Sequence, residues 1–248
     1  MRRVVPVAAV EAVSACAYFN ALYNARRHFA EAEKAAMRGD IGTAYMNYGT
    51  AIEKAAKSLR RDPEGRWADD ALYLIGRAHF ARGSYREATA ALERLLQETT
   101  DADIQTGAYA YLGAAAVRLG DPAGAVTRLD SAVARTGNRG ELAAFARLWR
   151  ARARFALGDE DAAWPDVEAA AAIPGAMGRE ARLEWAARAV QLDRPDRAAA
   201  AFAALFRDKD AHIAADSIEA LAIRAGQRWG GARTSALLDG VTSSAWPP

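Results

Sequence analysis

The residues able to do chemistry are few in this chain and lie far apart. It holds one cysteine, Cys16, and three histidines, His28, His79 and His212. No spacing of His, Cys or carboxylate matches a metal site, and His79 reads as a core or groove residue rather than a ligand. There is no GxxxxGK[ST] phosphate loop, no GxGxxG turn after a strand and no GxSxG elbow. The acidic groups Asp69-Asp70 and Asp159-Glu160-Asp161 would suit acid–base work if paired across a cleft. Each stands instead at an expected helix start, where carboxylates complement the unpaired N–H groups. These observations point away from an enzyme, and neither a metal nor a cofactor is expected.

Cys16 is set apart by what precedes it. Arg2 and Arg3 make a basic start, residues 4–13 a short apolar run, and Val13-Ser14-Ala15 a small-residue ending directly before the cysteine. That is the order of a secretory signal, and its end looks like the lipobox of bacterial lipoproteins. The resemblance implies a signal peptide over residues 1–15, cleavage before Cys16, and a covalent lipid on its thiol and new amine. More than one acyl chain makes anchoring durable, each buried methylene contributing about 0.8 kcal/mol. Ala17 follows the cysteine where an Asp would favour inner-membrane retention in that family, so the expected site is the outer membrane, periplasmic face. Pro6 and Glu11 interrupt the apolar run and keep a cytoplasmic alternative open, with Cys16 a buried free thiol.

Any binding residues must be positioned by a repeated helical hairpin. Within residues 69–100, Leu72, Ile75, Gly76 and His79 fall at helical spacing, as do Ala88, Leu92 and Leu95. Gly83 stands between them, where a positive φ lets the chain reverse. The pattern recurs: a turn residue precedes an alanine by five positions at Gly39/Ala44, Gly83/Ala88, Gly120/Ala125, Gly158/Ala163 and Asp193/Ala198. Seven residues before each turn stands a small residue: Ala32, Gly76, Gly113, Ala151 or Ala186. Four after each alanine stands a large apolar one: Tyr48, Leu92, Leu129, Val167 or Phe202. This order resembles the tetratricopeptide repeat (TPR), a helical hairpin of about 34 residues. The family's repeat-end proline is mostly missing, and Asp193 replaces a turn glycine. The resemblance implies an all-α, right-handed superhelix of about five to six hairpins. They fall near 20–58, 67–100, 104–137, 141–173 and 179–208, with a C-terminal cap at 211–240, making residues 16–248 one solenoid. Pro165, inside the second helix of the fourth hairpin, is expected to kink that helix or mark a late start.

Composition agrees with a closely packed helical protein. Of the 248 residues 52% are apolar, and the formal charge is +2 with both signs interspersed, too balanced to argue for nucleic acid. No uninterrupted apolar stretch reaches the length of a membrane span. The leader Cys16, Tyr18, Phe19, Asn20, Tyr23, Asn24, Ala25 resembles the start of mature bacterial TPR lipoproteins. Lipobox, length and repeat number together look like the BamD (YfiO-like) outer-membrane assembly lipoproteins.

In the TPR family the groove-facing positions lie thirteen, ten, six, three and two residues before the turn. Carried over, they give Arg26, Phe29, Glu33, Ala36 and Met37 in the first hairpin, and Asp70, Tyr73, Arg77, Phe80 and Ala81 in the second. The third adds Val117 and Arg118, the fourth Phe145, Leu148, Arg152 and Phe155. For each, packing against the neighbouring hairpin is the alternative. Phe29 and Tyr73 stand where chaperone-binding TPRs carry the first lysine of their clamp, which argues against a chaperone co-factor. The expectation is a non-catalytic scaffold that holds a protein or peptide segment in its concave groove and reaches the membrane through its lipid. No nucleic acid or small-molecule substrate is expected. A cytosolic TPR adaptor or regulator, or a non-catalytic subunit of an envelope or division enzyme complex, are the alternatives.

Overall fold

The computed structural model describes the backbone of residues 7–245 and the side chains of residues 21–241. Described residues form no strand. They form six helical hairpins: α1 (Val7–Met37) with α2 (Ile41–Arg61), α3 (Ala68–Ala81) with α4 (Tyr85–Glu98), and α5 (Ala102–Arg118) with α6 (Pro122–Thr136). Then come α7 (Glu141–Ala156) with α8 (Glu160–Ala171), and α9 (Ala176–Gln191) with α10 (Pro195–Phe206). A 3₁₀ turn at Ala211–Ala214 leads to α11 (Ala215–Trp229) and α12 (Gly231–Ala245). The backbone of α1 runs through Cys16, but the side chain of Cys16, like residues 1–6 of the expected signal, lies outside the described residues.

Each of the five turns closes in the same way. Gly39, Gly83, Gly120 and Gly158 hold φ of 75°, 78°, 84° and 77°, and Asp193 holds 57° as the sole non-glycine with positive φ among the described residues. In the second hairpin the Ser84 N–H reaches back to the His79 carbonyl at 2.9 Å and the Gly83 N–H to Phe80 at 3.0 Å. The pair satisfies two carbonyls that the helix end would leave open. Asp193 accepts the left-handed conformation at some cost, and its carboxylate takes the Trp229 indole N–H at 2.6 Å.

The small and large positions are partners across each hairpin. A Cβ added to Gly76 would lie 2.5 Å from Leu92 Cγ, and one on Gly113 would overlap Leu129. The Leu92 and Leu129 side chains fill the space that a side chain at Gly76 or Gly113 would need. Leu92, Leu129, Val167 and Phe202 are fully buried and Tyr48 nearly so; every such residue contributes roughly 1.5–3 kcal/mol by leaving water.

Contacts divide the chain into two compact units, one ending at Ser131 and the next beginning at Ala132. The first core gathers Phe29, Tyr48, Leu72, Leu92 and Leu112. The second gathers Leu148, Trp164, Val167, Phe202 and Leu221. Pro165 does not mark a late start: α8 begins at Glu160, capped by Asp159, and runs on through it. Pro165 and Asp161 are both exposed, so water can serve the carbonyl whose N–H partner the proline lacks.

Candidate protein-binding faces

In the first unit the expected groove residues meet one another. Arg26 reaches across to Asp70 at 2.6 Å and Arg77 to Glu33 at 3.1 Å. The Arg77 guanidinium also lies 4.5 Å from the Phe29 ring centroid, 5.6 Å from Tyr73 and 5.7 Å from Tyr111. Burial works against its charge, but Tyr111, Tyr73 and Glu33 outweigh burial and hold its pKa above the usual guanidinium range. Tyr73 meets Tyr111 edge-on at 6.2 Å, and burial pushes its hydroxyl up to about 12. Tyr73 also covers Gly107, where a Cβ would overlap its hydroxyl. Phe80 packs edge-on against Tyr85 at 5.5 Å and Tyr111 at 5.4 Å. Arg118 is exposed and its Nε donates to the Tyr85 hydroxyl at 2.8 Å. Phe29 stands at a groove position of the repeat but is nearly enclosed. It is only 7% exposed and packs on Tyr48 at 5.2 Å, inside the hairpin core.

The second unit is arranged differently. Leu148 is fully buried and Phe145 nearly so, so both belong to the core rather than to a groove. Arg152 Nη2 bridges Glu180 at 2.7 Å and Glu184 at 3.3 Å, over the Trp149 ring at 4.6 Å. Phe155, half-buried, stands edge-on to Trp164 at 4.9 Å with the Arg188 guanidinium 5.4 Å from its centroid. Between α9 and α11 the face stays open. Two cavities of about 300 and 480 Å³ share Ala187, Leu221 and Arg224. Arg152, Glu180, Leu183, Glu184, Ser217 and Ala220 complete the first, and Val190, Gln191, Gln227 and Arg228 the second.

These lining residues obey the same count before the turn in the fifth and sixth hairpins. Counted back from Asp193, thirteen, ten, six, three and two positions give Glu180, Leu183, Ala187, Val190 and Gln191, and all five line the cavities. The same count from Gly230, which holds φ of 83°, gives Ser217, Ala220, Arg224, Gln227 and Arg228, again all lining. The signal was present in the sequence and needed only to be extended.

The acidic groups serve helix starts and ion pairs. Asp101 accepts the N–H groups of Asp103 and Ile104 at 2.9 and 3.0 Å, and Asp159 that of Ala162 at 3.2 Å. Asp69 and Asp70 sit in the first turn of α3, Asp70 held by Arg26. Glu160 pairs with Arg194 at 3.1 Å. His28 faces Asn47 at 3.2 Å, and His212 is exposed on the 3₁₀ turn. His79 is half-buried; burial lowers its pKa, with Glu87 opposing and Arg82 reinforcing. Among the described residues no group of three His, Cys, Asp or Glu could hold a metal ion, and no helix is long and apolar enough to cross a membrane.

No protein-family model matches the chain, and no curated protein matches it. Solved structures do. A thermophilic TPR protein of Thermus thermophilus superposes with a TM-score of 0.58 at 21% identity, over 79% of this chain and 98% of that one. A tetratricopeptide repeat protein from Parabacteroides merdae gives 0.52 at 14% identity, over 91% and 81%. The Cut9–Hcn1 hetero-tetramer of the APC/C gives 0.53 at 14% identity; this chain is covered over 92% and spans about half of that one, 48%. With repeated turns, small–large partners and paired helices already in place, these superpositions identify the architecture: the fold is that of the TPR-repeat proteins.

Proposed function

We propose that the protein is a non-catalytic scaffold that holds a segment of a partner protein on the concave side of its hairpins. The observation that carries this is the open face between α9 and α11, lined by the very positions that the repeat directs into a groove. Its mixture of apolar floor and charged rim suits a protein segment. The test is site-specific photo-crosslinking in the full chain, with benzoylphenylalanine at Leu183 or Gln227 and, as a control, at Lys57, exposed on α2. Crosslinks to a defined partner from Leu183 and Gln227 but not Lys57 support the scaffold. Their absence at every concave position overturns it.

We further propose that the scaffold is lipid-anchored through Cys16 at the periplasmic face of the outer membrane, where it supports outer-membrane protein assembly. The support is the basic start, apolar run and small-residue ending before the lone cysteine, with the resemblance to BamD-like lipoproteins. Alkyne-palmitate labelling and membrane fractionation beside Cys16→Ala test this. Label and outer-membrane residence should both vanish in the variant; an unlabelled, soluble wild-type chain would sink the anchor and leave the scaffold standing.

A further inference from the structure

The two ends of the α9–α11 face carry different charge. At the Arg152 end the charges are satisfied internally: Arg152 holds Glu180 and Glu184, and Arg188 Nε meets Glu184 at 2.9 Å. At the other end Arg224 and Arg228 lie one helical turn apart on α11, exposed along the second cavity. No described residue offers either of them a carboxylate or a hydrogen bond. Nearby arginines differ, since Arg194 holds Glu160 and Arg197 holds Glu168. Like charges at this spacing repel by a few tenths of a kcal/mol, so an incoming anion relieves a repulsion as well as making contacts. Beneath them the floor is apolar, built by Ala187, Val190 and Leu221, with Leu183 continuing it toward Arg152. A cavity of about 480 Å³ lies within the size range that holds a ligand's anchoring groups.

We propose that this face takes an acidic, partly apolar protein segment, whose carboxylates meet Arg224 and Arg228 while its aliphatic side chains fill the floor. The assignment rests on the scaffold reading above and gives it a partner chemistry. Helical neighbours four residues apart stand about 5–6 Å from one another, and alternate residues of an extended strand about 6.6 Å. Carboxylates at either spacing match the two arginines. Guanidinium forks favour such bidentate partners.

The experiment pans a phage-displayed library of random dodecapeptides against the purified full chain, then measures labelled winners by fluorescence anisotropy. The expected pool is enriched in Asp and Glu beside Leu, Ile, Val or Phe. Its members should bind Arg224→Glu/Arg228→Glu about tenfold more weakly or worse, since each reversal turns an attraction of up to about 1 kcal/mol into a repulsion. Arg224→Lys/Arg228→Lys should retain most affinity. Arg139→Glu/Arg207→Glu, equal in charge change but away from the face, should leave it unaltered, and helical melting curves must match throughout. A pool without acids, or acidic peptides that bind the reversed variant equally well, overturns the assignment while the scaffold stands. An empty pool overturns it too, and the crosslinking above then decides the scaffold separately. Equal competition by a single-stranded oligonucleotide would reveal a general anion patch and also overturn it.

Discussion

The same repeat positions are closed in the first unit and open between α9 and α11 of the second. In the first, Tyr73 lies over Gly107, Arg77 is wedged among Phe29, Tyr73 and Tyr111, and Arg26 and Glu33 are tied to Asp70 and Arg77. A partner arriving there must first displace contacts the protein already makes. In the second, the long aromatics Trp149 and Trp164 turn into the hairpin core, while α9 and α11 offer Ala187, Val190, Ser217 and Ala220 at the groove positions. Small residues on facing helices leave volume that no neighbour reaches. A repeat thus specifies which side of a helix is presented; the sizes of the residues there decide whether it is a surface or a site.

The contrast can be broken hardest between α7 and α8 of the second unit. Asp166 is 3% exposed and takes Arg150 at 2.7 and 2.5 Å and Arg154 at 2.7 Å. Asp166→Ala would take the shared carboxylate from Arg150, Arg154 and the nearby Arg147, and removing one side of a buried pair costs about 3–5 kcal/mol. Urea melts followed by tryptophan fluorescence should show the loss, with hydrogen exchange rising most in α7 and α8. Opening the closed face should cost less. Tyr73→Ala removes the cover from Gly107 and the ring beside Arg77, an expected loss of about 2–3 kcal/mol, whereas Tyr73→Phe keeps both rings in contact and should lose under about 1 kcal/mol. Closing the open face is the reverse experiment. Ala187 is half-buried in the floor shared by both cavities, so Ala187→Trp, with its ring directed into the open space, should shift stability by less than about 1 kcal/mol. It should abolish binding of any segment that uses the floor, read by the same anisotropy titration.

The architecture was legible because its determinants are local and periodic. Five turn residues, five small residues and five large ones recur at fixed offsets, and every turn residue adopts the positive φ that its position demands. What the offsets could not give is depth. The position ten before the turn faces the groove side yet sits at the seam between neighbouring helices. Phe29, Ala110 and Leu148 are therefore buried there, and Tyr73 and Leu183 only half so. Nor does periodicity say that Tyr73 reaches Gly107 in the next hairpin, because that depends on the length of one side chain and the absence of another. The small-residue ending before Cys16 is a different kind of pattern, one that packing neither requires nor reports.

Tyrosine provides a finer probe, because all eight tyrosines precede residue 112 and five of the six tryptophans follow it. Burial raises the hydroxyls of Tyr73 and Tyr48 to about 12, Glu33 adding to the effect at Tyr48. In the unfolded chain they ionise near pH 10. A raised folded pKa means stability that is complete below about pH 10 and lost as pH climbs toward 12. Tyrosinate absorbance should therefore report unfolding of the first unit in that window, and Tyr73→Phe should postpone it.

The acid side separates the units by the smallest effect. His79 is half-buried in the first unit, its Nδ1 without a hydrogen-bond partner, and burial lowers its pKa against the pull of Glu87 from α4 and with the help of Arg82. Above about pH 6.5 the imidazole is neutral whether folded or not. As pH falls below that value the unfolded chain takes the proton first, so stability declines until the folded ring also titrates. In the second unit Asp208 is also lowered. Burial opposes its charge, but the Asp210 N–H, Arg182 and Arg179 prevail. Its contribution persists until pH falls through the carboxylate range, below about 4. Urea midpoints from pH 7.5 to 5.5 should therefore drift downward for the first unit alone, and His79→Gln should flatten the drift. A decline of equal slope in both units, or one that survives His79→Gln, would place the proton elsewhere and remove His79 from the account of their difference.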